Sequence, residues 1–223
     1  MFGHARLRSL LAAIGLIVVF GQCAGCVGPP TQSPQSDDPN GSSVRVGAVG
    51  DSITQANSQD FDQGQFGDQS WLAYVIDSDQ AFAGGWAQWG ATTEQMADHT
   101  PTFQTDVLII MAGTNDLALG VDFSEIASNL RDIANQVDAK ETILASIPPI
   151  DHDPEAAQQF NVLLKELAHD QHWIWVDAAE GVRGADGQFL RGMSYDGVHP
   201  SAEGAARIGS ELQKAVEKVT ESD

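Results

Sequence analysis

The chain has no cysteine between residues 27 and 223, because both of its cysteines, Cys23 and Cys26, lie near the start. That region can therefore form no internal disulfide and offers no thiol nucleophile. Basic residues are also few, with 11 Lys and Arg against 31 Asp and Glu, and no basic run follows residue 10. Since binding nucleic acid requires clustered basic side chains, this balance argues against a DNA or RNA partner.

The sequence also lacks the glycine-rich patterns that bind dinucleotides or triphosphates, so nucleotide binding has no support. Two clusters contain histidine, Asp151-His152-Asp153 and the pair His169 and His172. Neither has a third ligand at a recognisable spacing, so we interpret them as a loop and a solvated helix face. The sequence therefore predicts no metal site and no cofactor.

The first 26 residues have the pattern of an export signal. Arg6 and Arg8 precede an apolar run, Leu10–Phe20, which is too short for a comfortable membrane span. The segment Cys23–Cys26 resembles the bacterial lipoprotein signal, in which the last cysteine is acylated, although Cys23 stands where leucine is usual. We expect an extracytoplasmic protein that is anchored to the membrane by a lipid on Cys26. Plain secretion is the alternative.

Residues 27–43 contain four prolines and almost nothing apolar, which is typical of a linker. Residues 44–219 then alternate short apolar runs with helical patterns, which indicates one domain with a doubly wound parallel sheet of about five strands. The predicted strands are residues 44–49, 80–83, 107–111, 142–147 and 173–176. One helix is predicted to be capped by Thr92 or Thr93, and the next by Ser124. Another helix is predicted to begin at Asp153-Pro154.

Two features of this domain leave their interpretation open, and a third has one expected structure. The polar stretch Gln55–Gln69 is either a functional lip or a disordered insertion. Gly84-Gly85 is expected to form a turn after the second strand. Trp86 and Trp89 either line a pocket for an acyl chain or sugar ring or pack in the core.

Four polar or glycine positions follow the ends of predicted strands. Ser52, Gly90 and Asn115 come just after the first, second and third strands, and His199 follows the fifth. In a parallel sheet these strand ends meet at one edge, where ligands bind. We therefore expect an active site at that edge.

The residue types at this edge suit acyl transfer. A serine hydroxyl needs a base to become a nucleophile, and histidine can act as that base near neutral pH. Asp196 lies three residues before His199 and can orient its ring. The N–H groups of Ser52 and Gly90, with the side-chain amide of Asn115, can bind the oxyanion that forms when Ser52 attacks an ester.

Four blocks of the chain resemble those of the SGNH, or GDSL-type, hydrolase superfamily. They are Gly50-Asp51-Ser52-Ile53-Thr54, Gly90, Gly113-Thr114-Asn115-Asp116 and Asp196-Gly197-Val198-His199. The resemblance implies a flavodoxin-like fold with three layers, α/β/α. It also implies that Ser52 is the nucleophile, His199 the base and Asp196 its orienting acid. Ser52, Gly90 and Asn115 are then the oxyanion hole, and no cofactor is needed.

We therefore predict an exported serine esterase that hydrolyses acyl esters of carbohydrates or short-chain lipids. Its partner would be a small-molecule or polysaccharide ester, and it would touch the membrane only through the lipid on Cys26. Acyl transfer to a sugar is one alternative. The other is a catalytically silent module that binds glycans or lipids.

Overall fold

The computed structural model describes residues 43–221. The predicted signal peptide, the acylation of Cys26 and all but the last residue of the predicted linker lie outside the described residues. Within residues 43–221, no helix combines the length and the apolar character needed to cross a membrane.

The described residues are organised around a single sheet of five parallel strands in the order β2-β1-β3-β4-β5. This is the strand order of flavodoxin-like folds, and it confirms the predicted fold class. The strands are β1 (Val44–Gly50), β2 (Gln80–Ala87), β3 (Gln104–Met111), β4 (Asp138–Ala145) and β5 (Ile174–Val176).

Within residues 43–221, six α-helices and two 3₁₀ turns accompany the sheet. Asp153 caps the helix Pro154–Asp170 as predicted, and Thr92 caps the helix Thr93–His99. The expectation for Ser124 is wrong, because Asp122 stands at the N-cap of the helix Phe123–Gln136 and Ser124 already lies inside its first turn. The helices are α1 (Ser52–Gln55), α2 (Thr93–His99), α3 (Thr114–Leu119), α4 (Phe123–Gln136), α5 (Pro154–Asp170) and α6 (Ala202–Thr220), with 3₁₀ turns at Trp71–Tyr74 and Glu180–Val182.

The two faces of the sheet support separate hydrophobic clusters, because side chains alternate along each strand. Val46 and Ala48 of β1 belong to one cluster with Trp71 of a 3₁₀ turn and Ile208 of α6. The other cluster combines Val49 and residues of β3 with the following side chains of α2, α4 and α5: Met96, Ile126, Leu130, Ile133, Phe160 and Leu164. The sheet is thus the middle of three layers.

The expected turn at Gly84-Gly85 is wrong, because both glycines lie inside β2. The pairing of β2 with β1 shifts register between Val46 and Gly47, where Gly84 rather than Ala83 faces Gly47. Gly85 has φ +156 and passes so close to β1 that a Cβ atom there would overlap the carbonyl oxygen of Ala48. A glycine pair that usually marks a turn marks a close approach of two strands here. As a result β2 extends to Ala87, close to the edge that carries Ser52.

Replacing Gly85 by alanine should lower the free energy of unfolding by about 1–3 kcal/mol, the range for overpacked sites. The added methyl group has no room beside Ala48. Chemical denaturation checks this, with Gly181→Ala as control, because the nearest atom to a Cβ there is 3.8 Å away on Arg207. Equal stability of the two variants would contradict the strand assignment at Gly85.

The polar stretch after α1 forms an ordered loop, so the alternative of a disordered insertion is wrong. Phe61 and Phe66 of the loop pack edge to face with each other and with Phe82 of β2, with ring centroids 5.0–5.7 Å apart. At the end of the loop, Ser70 donates a hydrogen bond to the Thr54 carbonyl at 2.6 Å. These contacts hold the loop against the segment that carries Ser52.

Candidate active site

Ser52 lies at the first position of α1, directly after β1. The side chain of Asp51 caps this short helix by accepting a hydrogen bond from the Ile53 N–H at 2.9 Å. Gly50 allows the sharp turn, because a Cβ atom there would overlap the side chain of Thr54. Only 6% of Ser52 is exposed, so its hydroxyl group is held in place at the rim of the sheet.

The tertiary fold brings His199 next to Ser52. Ser52 Oγ and His199 Nε2 are 2.9 Å apart, although the residues are separated by 147 positions. The other ring nitrogen, Nδ1, is 2.7 Å from Asp196 Oδ2. Because a carboxylate only accepts hydrogen bonds, Nδ1 carries the proton and Nε2 is free to accept the proton of Ser52. The three side chains form a continuous chain of hydrogen bonds.

The loop before α6 fixes Asp196 in this position. Its Oδ1 accepts hydrogen bonds from the backbone N–H groups of Val198 and His199, at 2.9 and 2.7 Å. Burial raises the pKa of Asp196, but the bonds from the His199 backbone and ring and from Val198 outweigh it, so the pKa lies below its ordinary value. Asp196 is therefore ionised at neutral pH and can hold the ring of His199.

Asn115 and Gly90 lie at the same edge and are connected through the segment between β2 and α2. Asn115 Nδ2 donates a hydrogen bond to the Ala91 carbonyl at 2.9 Å and approaches Asp51 Oδ2 at 3.5 Å. On the other side of Gly90, the Trp89 N–H donates to Gln55 Oε1 of α1 at 2.9 Å. Gly90 itself has φ +74, a conformation that favours glycine. The structure thus ties both flanks of Gly90 to the elements that carry Asn115 and Ser52.

Two buried aspartates support this arrangement, and the sequence analysis assigned neither. Asp116 accepts hydrogen bonds from the Thr93 N–H, at 3.0 and 3.1 Å, and from the Thr93 hydroxyl at 2.6 Å. It thereby joins the start of α2 to the first turn of α3, which carries Asn115. Burial raises the pKa of Asp116 in spite of these bonds. In the sequence, the only sign of this role is the position of Asp116 next to Asn115. An exposed aspartate in a turn would have the same position.

Asp51 is the second of these buried aspartates. Burial raises its pKa to about 7. The Ile53 N–H bond and the positive charge of His199 in its protonated form act against the rise, and the negative charge of Asp116 adds to it. In the unfolded chain this carboxyl is ionised above about pH 4. The folded protein retains the proton up to about pH 7, so folding binds a proton in this window.

Asp51→Asn is therefore expected to change stability in a pH-dependent way. Between about pH 4 and 7 the unfolded parent chain binds fewer protons at Asp51 than the folded protein, so the free energy of unfolding falls as pH rises. Asparagine removes this titration and keeps an oxygen for the Ile53 N–H. From pH 4 to pH 8, the variant should gain about 2–4 kcal/mol relative to the parent. Urea denaturation across this range, with the exposed Asp62→Asn as control, tests it, and a constant difference would contradict a buried neutral Asp51.

Two aromatic rings stack on His199. The Trp89 and Tyr195 rings have centroids 5.0 and 5.7 Å from the imidazole and lie within 29° and 10° of parallel to it. Trp89 is 51% exposed and Tyr195 is 52% exposed. Trp86, in contrast, is half-buried, stacks on His99 and packs against one of the core clusters. The sequence left open whether Trp86 and Trp89 line a pocket or pack in the core. In the structure Trp86 packs against the core, and Trp89 lies at the site. The sequence did not predict that Tyr195 lies at the site.

His152, His169 and His172 are exposed. The His169 side chain is 3.4 Å from the exposed carboxylate of Asp170, and His152 lies in a turn. Across residues 43–221, no three His, Cys, Asp or Glu side chains are grouped in a way that could hold a metal ion.

A five-stranded parallel α/β fold of this topology is that of the SGNH hydrolases. The chain belongs to the GDSL-like Lipase/Acylhydrolase family, whose sequence profile matches residues 48–207. No curated protein matches it significantly.

Solved structures share the fold at low sequence identity. A GDSL-like lipase from Bacteroides thetaiotaomicron VPI-5482 is 19% identical, with a TM-score of 0.58 over 79% of this chain and 89% of that one. A member of the lipolytic protein G-D-S-L family from Veillonella parvula DSM 2008 is 18% identical, with a TM-score of 0.59 over 76% and 96%. A catalytic mutant of an acetylxylan esterase from Geobacillus stearothermophilus is 20% identical, with a TM-score of 0.59 over 79% and 95%.

Proposed function

We propose that this protein is a serine esterase that hydrolyses acyl esters through Ser52, His199 and Asp196. The observation that carries the proposal is the hydrogen-bonded chain from Ser52 Oγ to His199 Nε2 at 2.9 Å and from His199 Nδ1 to Asp196 at 2.7 Å. This is the arrangement that an alcohol nucleophile needs, with a base in reach and a carboxylate to orient the base. Membership of an acylhydrolase family supports the same reaction class.

In the proposed reaction, Ser52 Oγ attacks the ester carbonyl while His199 Nε2 takes the hydroxyl proton. The imidazolium that forms is stabilised by ionised Asp196 and then gives its proton to the departing alcohol. A water molecule, activated in turn by His199, attacks the acyl-enzyme and releases the acid with Ser52 restored. The steps need no metal, so EDTA should leave the rate unchanged.

The negative oxygen of the tetrahedral intermediate would be bound by the N–H groups of Ser52 and Gly90 and by Asn115 Nδ2. The Ser52 N–H lies at the start of α1, where N–H groups have no partner within the helix. Asn115 Nδ2 has one firm partner, the Ala91 carbonyl at 2.9 Å, whereas its 3.5 Å approach to Asp51 is at the limit of a hydrogen bond. The second amide proton is therefore free of a strong partner, and an oxyanion that accepts from it displaces only the long contact with Asp51.

For the substrate, we propose acyl esters of carbohydrates or short-chain lipids. The support is the family, which is described as lipases and acylhydrolases, and the acetylxylan esterase among proteins of the same fold. The formal net charge of −20 disfavours strongly anionic substrates. Acyl transfer to a sugar would use the same acyl-enzyme with an alcohol in place of water.

A fluorophosphonate probe tests the proposal directly, because it reacts only with an activated serine. We expect one probe per chain, located on Ser52 by peptide mass spectrometry. The fraction of p-nitrophenyl acetate turnover that is lost should equal the fraction of protein that is labelled. A protein that neither reacts nor turns over any member of an ester panel from acetate to octanoate would be a silent binding module. Release of free acid without an added acceptor separates hydrolysis from acyl transfer.

We also propose that the protein is exported and anchored by a lipid on Cys26. The support is the sequence pattern of residues 1–26 and the proline-rich stretch that follows it. In a bacterial host, Cys26→Ser should move the protein from the membrane fraction to the soluble fraction. Unchanged membrane association would count against the anchor.

A further inference from the structure

We propose that Trp89 and Tyr195 form an aromatic platform that binds a sugar ring of the substrate's alcohol part. This inference rests on the proposed esterase function, because it identifies the alcohol side of the same ester. The first observation is position: both rings stack on His199, the residue that returns a proton to the departing alcohol. A group bound on these rings therefore lies next to the leaving oxygen.

The second observation is that both aromatic residues are exposed and that Trp89 is fixed in place. About half of the surface of each residue is exposed, although large aromatic residues are usually more buried. Trp89 is fixed at both ends, since its backbone N–H donates to Gln55 at 2.9 Å and its indole N–H to the Ala56 carbonyl at 3.0 Å. Ala56 has φ +44, an uncommon conformation for a residue with a side chain. The chain thus accepts local strain where it holds an exposed ring beside the nucleophile.

The surroundings of Tyr195 favour a sugar over a lipid chain. A cavity of about 370 Å³ lies beside it, with polar walls that include Asp151, Arg191, Ser194 and Asp196. Most of these groups already bond within the protein, as Asp196 does with His199 at 2.7 Å. Sugar hydroxyls can add hydrogen bonds to the carboxylates and to the guanidinium, whereas an apolar chain would only displace their water. The C–H face of a pyranose ring suits the electron-rich face of an aromatic ring. The net charge of −20 favours a neutral sugar over an anionic headgroup.

The test measures binding rather than turnover, because truncating Trp89 also removes a contact of His199. Ser52→Ala is used as the parent, so that acetylated xylotriose binds without being hydrolysed, and affinity is measured by calorimetry. Adding Trp89→Ala or Tyr195→Ala should weaken binding roughly 3- to 10-fold each, the range expected for one aromatic contact. Tyr195→Phe keeps the ring face and should retain most of the affinity. Val162→Ala, which truncates an exposed side chain of α5, is the control.

Glycerol triacetate, which has acetyl esters and no ring, provides the second comparison, with its KM measured for enzymes that retain Ser52. A platform for sugars predicts that the Tyr195→Ala change raises the KM for acetylated xylotriose more than that for triacetate. Equal effects on the two esters, or unchanged sugar affinity in both alanine variants, would overturn the platform. If the protein with Ser52 intact hydrolyses triacetate but its Ser52→Ala form binds no sugar, this inference alone fails. If the Ser52→Ala form binds sugar through these rings but the intact protein turns over no ester, the platform stands and the esterase fails.

Discussion

Ser52→Ala should reduce the turnover of p-nitrophenyl acetate by roughly 10⁴- to 10⁶-fold, the range seen when the nucleophile of a serine triad is removed. The hydroxyl that contacts His199 at 2.9 Å is the atom that would attack the ester, and alanine has no substitute for it. The proposed oxyanion donors Gly90 and Asn115 remain, so a residual rate above that of the reaction in water is expected. Steady-state kinetics with each protein at high concentration measures the loss.

The control for this change is Ser124→Ala, an exposed serine in the first turn of α4. It should retain full activity. Circular dichroism and thermal unfolding should show both variants folded, because the change at Ser52 removes one small, nearly buried hydroxyl. Activity of Ser52→Ala within tenfold of the parent would remove Ser52 from the mechanism.

Asp196→Asn should lower kcat by about 10²- to 10⁴-fold through the protonation of His199. Asparagine can keep an oxygen at Oδ1, which accepts from the backbone N–H groups of Val198 and His199, so the loop should persist. It then presents an NH₂ group to His199 Nδ1. This favours the tautomer with the proton on Nε2, which can no longer accept the Ser52 proton. Because Asp196 is partly exposed, water can compensate in part, and we expect a smaller loss than for Ser52.

The chain offers a matched control for Asp196→Asn in a second Asp–His pair. Asp170 contacts His169 at 3.4 Å on the exposed surface, and Asp170→Asn makes the same chemical change there. It should leave kcat unchanged. If Asp196→Asn also left kcat unchanged while the loop remained folded, Asp196 would not orient the base, and His199 would have to be held by its backbone and its stacked rings alone.

The fold was largely predictable because its strands are locally encoded. The run Val107–Met111 is continuous and apolar, as a strand covered on both faces must be, and it lies within β3. Errors occurred where a local signal had two meanings. Gly84-Gly85 suggested a turn, but the close contact of β2 with Ala48 needs glycine equally. Ser124 suggested a cap, but Asp122 two residues earlier occupies that position.

The site was predictable in part for the same reason. Asp196 and His199 are three residues apart, so one turn of chain can pair them, and the pair is visible in the sequence. The meeting of Ser52 with His199 was inferred from strand ends converging on one edge and from the family resemblance, since nothing local to either residue implies it. The roles of Ser52, Gly90 and Asn115 in an oxyanion hole stay predictions.

The sequence by itself determined the order of strands and helices, the glycine-aspartate-serine turn after β1 and the local pairing of Asp196 with His199. These depend on side-chain periodicity, backbone preference and short separations along the chain. Only the tertiary structure decided that Asp51 is buried with a raised pKa, that Asp116 ties α2 to α3, and that Trp89 and Tyr195 stack on His199. Burial and stacking depend on which distant segments of the chain come into contact. Those contacts are decided by packing on the sheet and not by the conformational preference of any one segment.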